Sequence, residues 1–192
     1  MSKRPMIALA ALLACTPLAF AANADMQQRV HDSKVVIKKF MTELKGHLKG
    51  AMKEGGPTNA IKVCNHIAPE IAKKWSEKTG WKVGRTSLKY RNPKNAPDVW
   101  EQKVLEEFEA RKAKGEDPKT MAHAEVVEQD GKKVFRFMKA IPTQKVCLKC
   151  HGENIGAPVK AKLDELYPGD QALCFKLGDI RGAFTIIQPM GP

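Results

Sequence analysis

The stretch "AHAEVVEQDGKKVFRFMKAI", residues 122–141, decides what kind of fold this chain can make. Two β-rich runs, "AHAEVVEQ" and "KKVFRFMKAI", flank Asp130-Gly131, and a two-residue Asp-Gly loop between such runs is a strong signal for a β-hairpin. Strands therefore occupy this part of the chain, and helices have to be sought upstream.

They are found there. Between residues 26 and 53, Met26, Val30, Ile37, Met41, Leu44, Leu48 and Met52 recur at steps of three, four or seven, the stripe of an amphipathic helix. That stripe serves either as core or as the seam of a homodimer. Gly55-Gly56-Pro57 stops the helix, and Thr58 caps a second one over Asn59 to Thr79. Pro69 should kink it, because proline cannot donate to residue 65 and its ring crowds that carbonyl. From Gly80 to Asp98 a short β-like run gives way to Asn-Pro and Ala-Pro turns; Pro97 and Asp98 then open a third helix through about Lys114.

After the hairpin, a short helix is expected over Ala157 to Leu166. "FKLGDIRGAFTIIQ", residues 175–188, reads as two final strands turning at Gly178-Asp179. Helices first and an antiparallel sheet after make an α+β single domain.

The first 24 residues read as a signal peptide: Lys3 and Arg4 give a positive start, Met6 to Leu18 is almost unbroken apolar, and Ala22-Asn23-Ala24 offers a small-residue cleavage site. Export places residues 25–192 in the periplasm. Leu12-Leu13-Ala14-Cys15 loosely resembles a lipobox, which would anchor the protein through Cys15; the apolar run continues to Phe20, which suits ordinary cleavage better. Nothing later in the chain has the length and apolarity of a membrane span.

Removing Lys3 and Arg4 leaves 31 basic against 21 acidic residues, a net charge of +10. In an exported protein with few aromatics among its scattered basic residues, this excludes nucleic acid and leaves a solvated basic surface, or steering toward an acidic partner or lipid headgroups.

The chemistry sits in "KVCLKCHG", residues 145–152. Cys147 and Cys150 lie two residues apart with His151 directly after, the spacing of c-type haem attachment. Both thiols can form thioethers with the haem vinyl groups, and the adjacent imidazole becomes the proximal iron ligand. A zinc ribbon would need a second ligand pair, whereas Cys64 and Cys174 stand alone. A thioredoxin-like dithiol would need βαβ surroundings, and here the pair follows a hairpin.

For the distal face of the iron, the candidates are Cys64, Cys174, His31, His47, His66, His123 and several methionines. On its helix Cys64 shares a side with Ile61, Ile67, Ala68 and Ile71, while His66, about 200° round, shares one with Lys62, Glu70 and Lys73. Cys64 then faces inward and is a buried inert thiol, a disulfide partner of Cys174, or an iron ligand. Spacing alone favours the disulfide.

Three stretches, "VCNHIAPEIAKKWSEKTGWKVGRTSLKYRNPKNAPDVWE", "CLKCHG" and "YPGDQALCFKLGDIRGAF", together resemble a family of exported c-type haem domains with a PAS-like fold, first grouped as a domain of unknown function. The resemblance implies long N-terminal helices packed on a five-stranded antiparallel sheet that holds one covalent haem c. It implies His151 as proximal ligand and Cys64, from the Cys-x-x-x-Ala-Pro helix, as distal thiolate ligand. Leu173-Cys174 departs from the family pattern, which has a small residue before the aromatic, so Cys174 keeps the disulfide alternative open.

Arg85, Arg91 and Arg181 are candidates for the haem propionates, because a guanidinium fork matches a carboxylate. Phe135 and Phe137, alternating on one strand, are candidates to touch the porphyrin. Trp75, Trp81 and Trp100 read as core. With both axial positions filled and no acid, base or nucleophile constellation, the expectation is a protein that is not an enzyme. A redox or diatomic-gas sensor with a switchable Cys ligand is expected, and a small periplasmic electron-transfer cytochrome c is the alternative. Either one implies a redox or signalling protein partner.

Overall fold

The computed structural model describes residues 17–191, with side chains from Asn23 onward, so Cys15 and most of the expected signal peptide lie outside it. Helix α1 spans Pro17–Lys62 and is broken at Gly55 (φ −148°, ψ 17°) and Gly56 (φ 68°, ψ −159°), the expected break point. Thr58 Oγ1 donates to the Gly55 carbonyl at 3.2 Å as the chain turns back into helix.

The Pro69 kink takes a specific form. Val63–Ile67 is a single π-turn, in which the Ala68 N–H reaches back to the Val63 carbonyl, and α2 follows over Ala68–Thr79 with Pro69 in its first turn. There the missing N–H costs nothing, so the strain is absorbed one turn upstream. Gly80, left-handed at φ 71°, closes α2 by donating to the Ser76 carbonyl.

Strand β1 (Lys82–Thr86) leads through the Pro93–Asn95 turn to α3 (Val99–Ala113). A capping box starts α3: the Glu101 N–H donates to Asp98 Oδ1 at 2.8 Å and the Asp98 N–H to Glu101 Oε2 at 3.1 Å. Such a cap is worth about 1 kcal/mol. The predicted hairpin forms as β2 (Ala122–Gln129) and β3 (Lys132–Pro142), with Asp130 at φ 52° and Gly131 at φ 72° making the two left-handed corners. Short helices α4 (Leu148–His151) and α5 (Ala157–Leu166) precede the last strand, β4 (Ile180–Pro189).

The sheet is antiparallel in the order β1-β4-β3-β2, so it has four strands where five were expected. The missing strand is the one read into the start of "FKLGDIRGAFTIIQ". Cys174 at φ 60° and Gly178 at φ 85° break the extended conformation on either side of Phe175–Leu177. The segment folds as a turn instead, with the Asp179 N–H on the Lys176 carbonyl and the Lys176 N–H on Asp179 Oδ2.

Helices cover both faces of the sheet. On one side Val36, Ile37, Phe40 and Leu44 of α1, with Ile71 and Trp75 of α2, pack on Val83, Phe135, Phe137, Phe184 and Ile186. Of the N-terminal stripe, Ile37 and Leu44 are buried in this core, and Met26, Val30, Met41 and Leu48 pack against it half-buried. Phe135 and Phe137, almost fully buried beneath α1, belong to the same core. On the other side Val104, Leu105 and Phe108 of α3 meet Met121, Met138, Ala140, Ile180 and Ala183.

Buried polar links fix each layer. Gln188 Nε2 donates to Ser33 Oγ at 2.9 Å and to the Arg29 carbonyl at 3.1 Å, tying α1 to β4, while Thr185 Oγ1 donates to Glu101 Oε1 at 2.7 Å, tying α3 to β4. A third apolar cluster, Ile61, Val159, Leu163 and Tyr167, with Cys150 packed against it, joins the end of α1 to α5 and to the Cys147–His151 segment. No helix among the described residues is long and apolar enough to cross a membrane.

Candidate functional site

Beyond Pro142 the chain leaves the sheet and is pinned at once: the Thr143 N–H donates to the Asp179 carbonyl at 2.7 Å, and the Gly178 N–H to the Thr143 carbonyl at 3.0 Å. Lys145–Cys147 then makes a tight turn that runs into α4. Cys147, Cys150 and His151 are half-buried on its inner side, whereas Lys145, Val146 and Lys149 are exposed. The Gln144 N–H approaches Cys147 Sγ at 3.4 Å.

The residues after α5 hold His151 from below. Its backbone carbonyl accepts from the Phe175 N–H at 2.9 Å, the Gly152 carbonyl accepts from the Cys174 N–H at 3.2 Å, and its ring meets the Phe175 ring edge-on with centroids 6.3 Å apart. Nδ1 lies 2.9 Å from the Ala172 carbonyl. A carbonyl only accepts, so Nδ1 carries the proton and Nε2 keeps its lone pair. Burial and the nearby guanidinium groups of Arg181 and Arg91 hold the imidazole well below its ordinary pKa, hence neutral. An imidazole anchored through one nitrogen and neutral at the other has the free lone pair that metal ligation requires.

Cys64 sits on the π-turn, half-buried, with His66 exposed as its helical position predicts. Burial pushes its thiol pKa up, opposed by the positive charges of Arg85, Arg91 and Arg181. The same three guanidinium groups act on His151, so thiol and imidazole face one cationic cluster. Cys150 is raised by burial as well, and Cys64 is among its neighbours. Cys64 and Cys174 are both free thiols, Cys174 being exposed.

The three arginines have different tasks. Arg91 is a buried clamp: Nε donates to Asp170 Oδ2 at 2.9 Å, and Nη2 donates to the Cys150 carbonyl at 2.6 Å and to the Ala172 carbonyl at 3.2 Å. It holds the Cys147–His151 turn and the carbonyl that anchors His151 in one grip, so most of its donors are already spent. Arg85, on β1, makes no hydrogen bond or ion pair among the described residues; its guanidinium lies 5.6 Å from the Phe40 ring centroid, and burial lowers its pKa.

Arg181 is placed by a bulge. Ile141 pairs with Gly182 and Pro142 with Ile180, leaving Arg181 as the extra residue of β4, and bulges re-aim side chains in this way. Its Nη1 donates to Ser87 Oγ at 3.1 Å and to the Lys89 carbonyl at 3.2 Å, while its buried Nε has no partner among the described residues. Burial, with Arg91 and Arg85 nearby, lowers its pKa to about 10.

The convergence also includes residues that sequence reasoning missed. Asp170 accepts from Arg91 and from the Ala172 N–H at 2.8 Å, and Tyr167, its hydroxyl pushed up to about 12 chiefly by burial, lies near Cys64. Their "YPGD" turn was a visible signal in the sequence, but only the Arg91 contact gives it a task. A groove of about 570 Å³ lined by Gly46, His47, Gly50, Lys62 and His66 touches the outer face of the π-turn and contains neither Cys64 nor His151.

Among the described residues no group of three or more His, Cys, Asp or Glu side chains is spaced to hold a metal ion. One imidazole and one thiol suit a metal whose remaining ligands come from a bound group, and the unpartnered Arg181 Nε suits an anionic edge on that group. Fold and site together define a class: a single α+β domain in which one anchored imidazole, three thiols and three guanidinium groups converge beside an antiparallel sheet. The chain belongs to the Tll0287-like family, which matches residues 22–189. Its fold is similar to that in the crystal structure of the cyanobacterial heme-protein Tll0287, with a TM-score of 0.65 and 24% identity over 85% of this chain and 96% of that one. No curated protein matches the chain.

Proposed function

We propose that the chain is an exported, monohaem c-type haem-binding protein of the periplasm, not an enzyme, and that it serves as a redox or diatomic-gas sensor with Cys64 as a switchable ligand. The observation that carries haem binding is the anchored His151, with Nδ1 on the Ala172 carbonyl, set in one cluster with Cys147, Cys150 and Cys64. The crystal structure similar in fold is that of a heme-protein, which supports the same reading. The haem supplies an iron centre whose oxidation state or gas binding is the signal.

In this reading Cys147 and Cys150 would carry the haem covalently, and His151 Nε2 and Cys64 Sγ would hold its iron. Arg85 and Arg181, with donors to spare, take the propionates, and Arg91 positions the attachment turn. Three guanidinium groups against the single carboxylate of Asp170 leave two positive charges, the number that two propionates neutralise. We read the sheet as PAS-like with four strands. The sensing role is supported by the π-turn: it holds one residue beyond the α-helical count, and passing that residue along the helix rotates Cys64 by about 100°. Such a shift would give Cys64 the two positions that a switch needs. The second reading, a small periplasmic electron-transfer cytochrome c, is favoured by the basic surface around the attachment turn.

In the ferric haem-loaded protein, Cys64→Ala is expected to abolish the narrow low-spin electron paramagnetic resonance signal of thiolate ligation. An unaltered spectrum in the variant would hand the distal position to another group and make the carrier the better reading. Cys147→Ala and Cys150→Ala are each expected to lose one thioether and shift the pyridine haemochrome band; an unchanged band would contradict attachment through both thiols.

A further inference from the structure

We propose that the outer face of the attachment turn is a docking surface for an acidic one-electron carrier protein. This partner assignment rests on the haem reading above. Among the described residues five large apolar side chains are exposed, and three of them, Leu88 (36%), Val146 (60%) and Leu177 (69%), lie on the three segments around the site. Hydrogen bonds tie these segments into one surface: Gly178 to the Thr143 carbonyl at 3.0 Å, Lys89 Nζ to the Leu173 carbonyl at 3.0 Å, and Arg181 Nη1 to the Lys89 carbonyl at 3.2 Å. Isolated exposed apolar residues are ordinary, but three gathered around one site mark a contact area.

The rim is basic. Lys89, Lys145, Lys149 and Lys176 are exposed around these residues, and of the four only Lys176 faces a carboxylate, Glu153 at 3.8 Å. On α5, by contrast, Lys160 and Lys162 are paired with Asp164 and Glu165. A rim in which three of four lysine charges face no carboxylate, set around a small apolar centre, gives steering and contact together, the combination that a transient acidic partner needs. Val146 adjoins Cys147, so a partner seated there is next to the attachment site, where one electron can pass.

The test uses the haem-loaded protein and flavodoxin, an acidic flavin protein, as probe. Oxidised flavodoxin is titrated calorimetrically into it at low and high salt. In stopped flow, flavodoxin hydroquinone then gives one electron to the ferric haem, leaving ferrous haem and the flavin semiquinone. A triple variant, Lys145→Glu with Lys149→Glu and Lys176→Glu, is expected to lower the association rate at least tenfold and remove its salt dependence, the range that electrostatic steering covers. Val146→Ser with Leu177→Ser should weaken binding at every salt concentration. Lys132→Glu with Lys133→Glu, at the far end of β3, should change neither by more than twofold.

Equal losses from the hairpin pair would overturn the surface in favour of unspecific charge. Unchanged flavodoxin binding, with loss of phosphatidylglycerol-vesicle binding or of self-association, would assign this face to lipid or to a second copy. Protein that carries no covalent haem by pyridine haemochrome would overturn the haem reading and this partner together.

Discussion

Arg91→Ala is expected to destabilise the fold by about 3–5 kcal/mol, the cost of breaking a buried ion pair by removing one partner. Arg91 and Asp170 side chains are only 7% and 6% exposed, so the carboxylate left behind stays buried and unpaired. The Cys150 and Ala172 carbonyls lose their guanidinium donor in the same step. For a chain of this size the loss corresponds to a drop in Tm of roughly 6–20 °C. Because Ala172 also accepts from His151, the low-spin spectrum of the haem-loaded variant should shift as well.

Two further variants separate the clamp from mere volume. Arg91→Lys keeps the charge but cannot reach three acceptors from a planar fork, so it should recover only part of the loss. Arg91→Ala with Asp170→Ala should be less damaging than the two single losses added, since the orphan charge is gone. A Tm change below about 2 °C for Arg91→Ala would show that the pair is not buried in solution.

The second large effect belongs to Gly182. Its φ of +148° is open only to glycine, and a Cβ there would lie 2.3 Å from the Thr86 carbonyl oxygen and 3.0 Å from Ser87 Cβ. Gly182→Ala should therefore cost about 3 kcal/mol or more, backbone strain adding to a clash that only a shift of β1 away from β4 can relieve. Gly182 follows the bulged Arg181, so the variant should also misplace that guanidinium. Gly84, on the facing strand, is the control: a Cβ there would meet only Thr185 Cγ2 at an ordinary 3.6 Å, and Gly84→Ala should change stability by less than about 1 kcal/mol. Thermal unfolding of the two variants side by side decides it; equal Tm values would remove the close approach of β1 and β4 from the account.

Features encoded by a few adjacent residues were legible in the sequence. The Asp130-Gly131 corner, the Gly55-Gly56 break, the opening of the third helix at Asp98 and the inward side of Cys64 all follow from local φ/ψ preferences or from helical spacing, and the structure has each of them where it was expected. The Cys147, Cys150 and His151 trio was equally legible, because it lies within five residues.

What only the tertiary structure decided concerns groups whose partners are far along the chain. The segment before β4 looked extended in isolation, yet its N–H groups are taken by the carbonyls of Thr143, His151 and Gly152, and it turns instead of adding a fifth strand. Arg85, Arg91 and Arg181 are identical as letters. Contacts 59 to 94 residues apart make Arg91 a clamp and give Arg181 its Ser87 partner, while Arg85 is left unpaired among the described residues. Backbone dihedrals answer to neighbours in sequence. The burial and pairing of a charge answer to whatever the closed chain brings within hydrogen-bond reach, and that is fixed only when helices and sheet have packed.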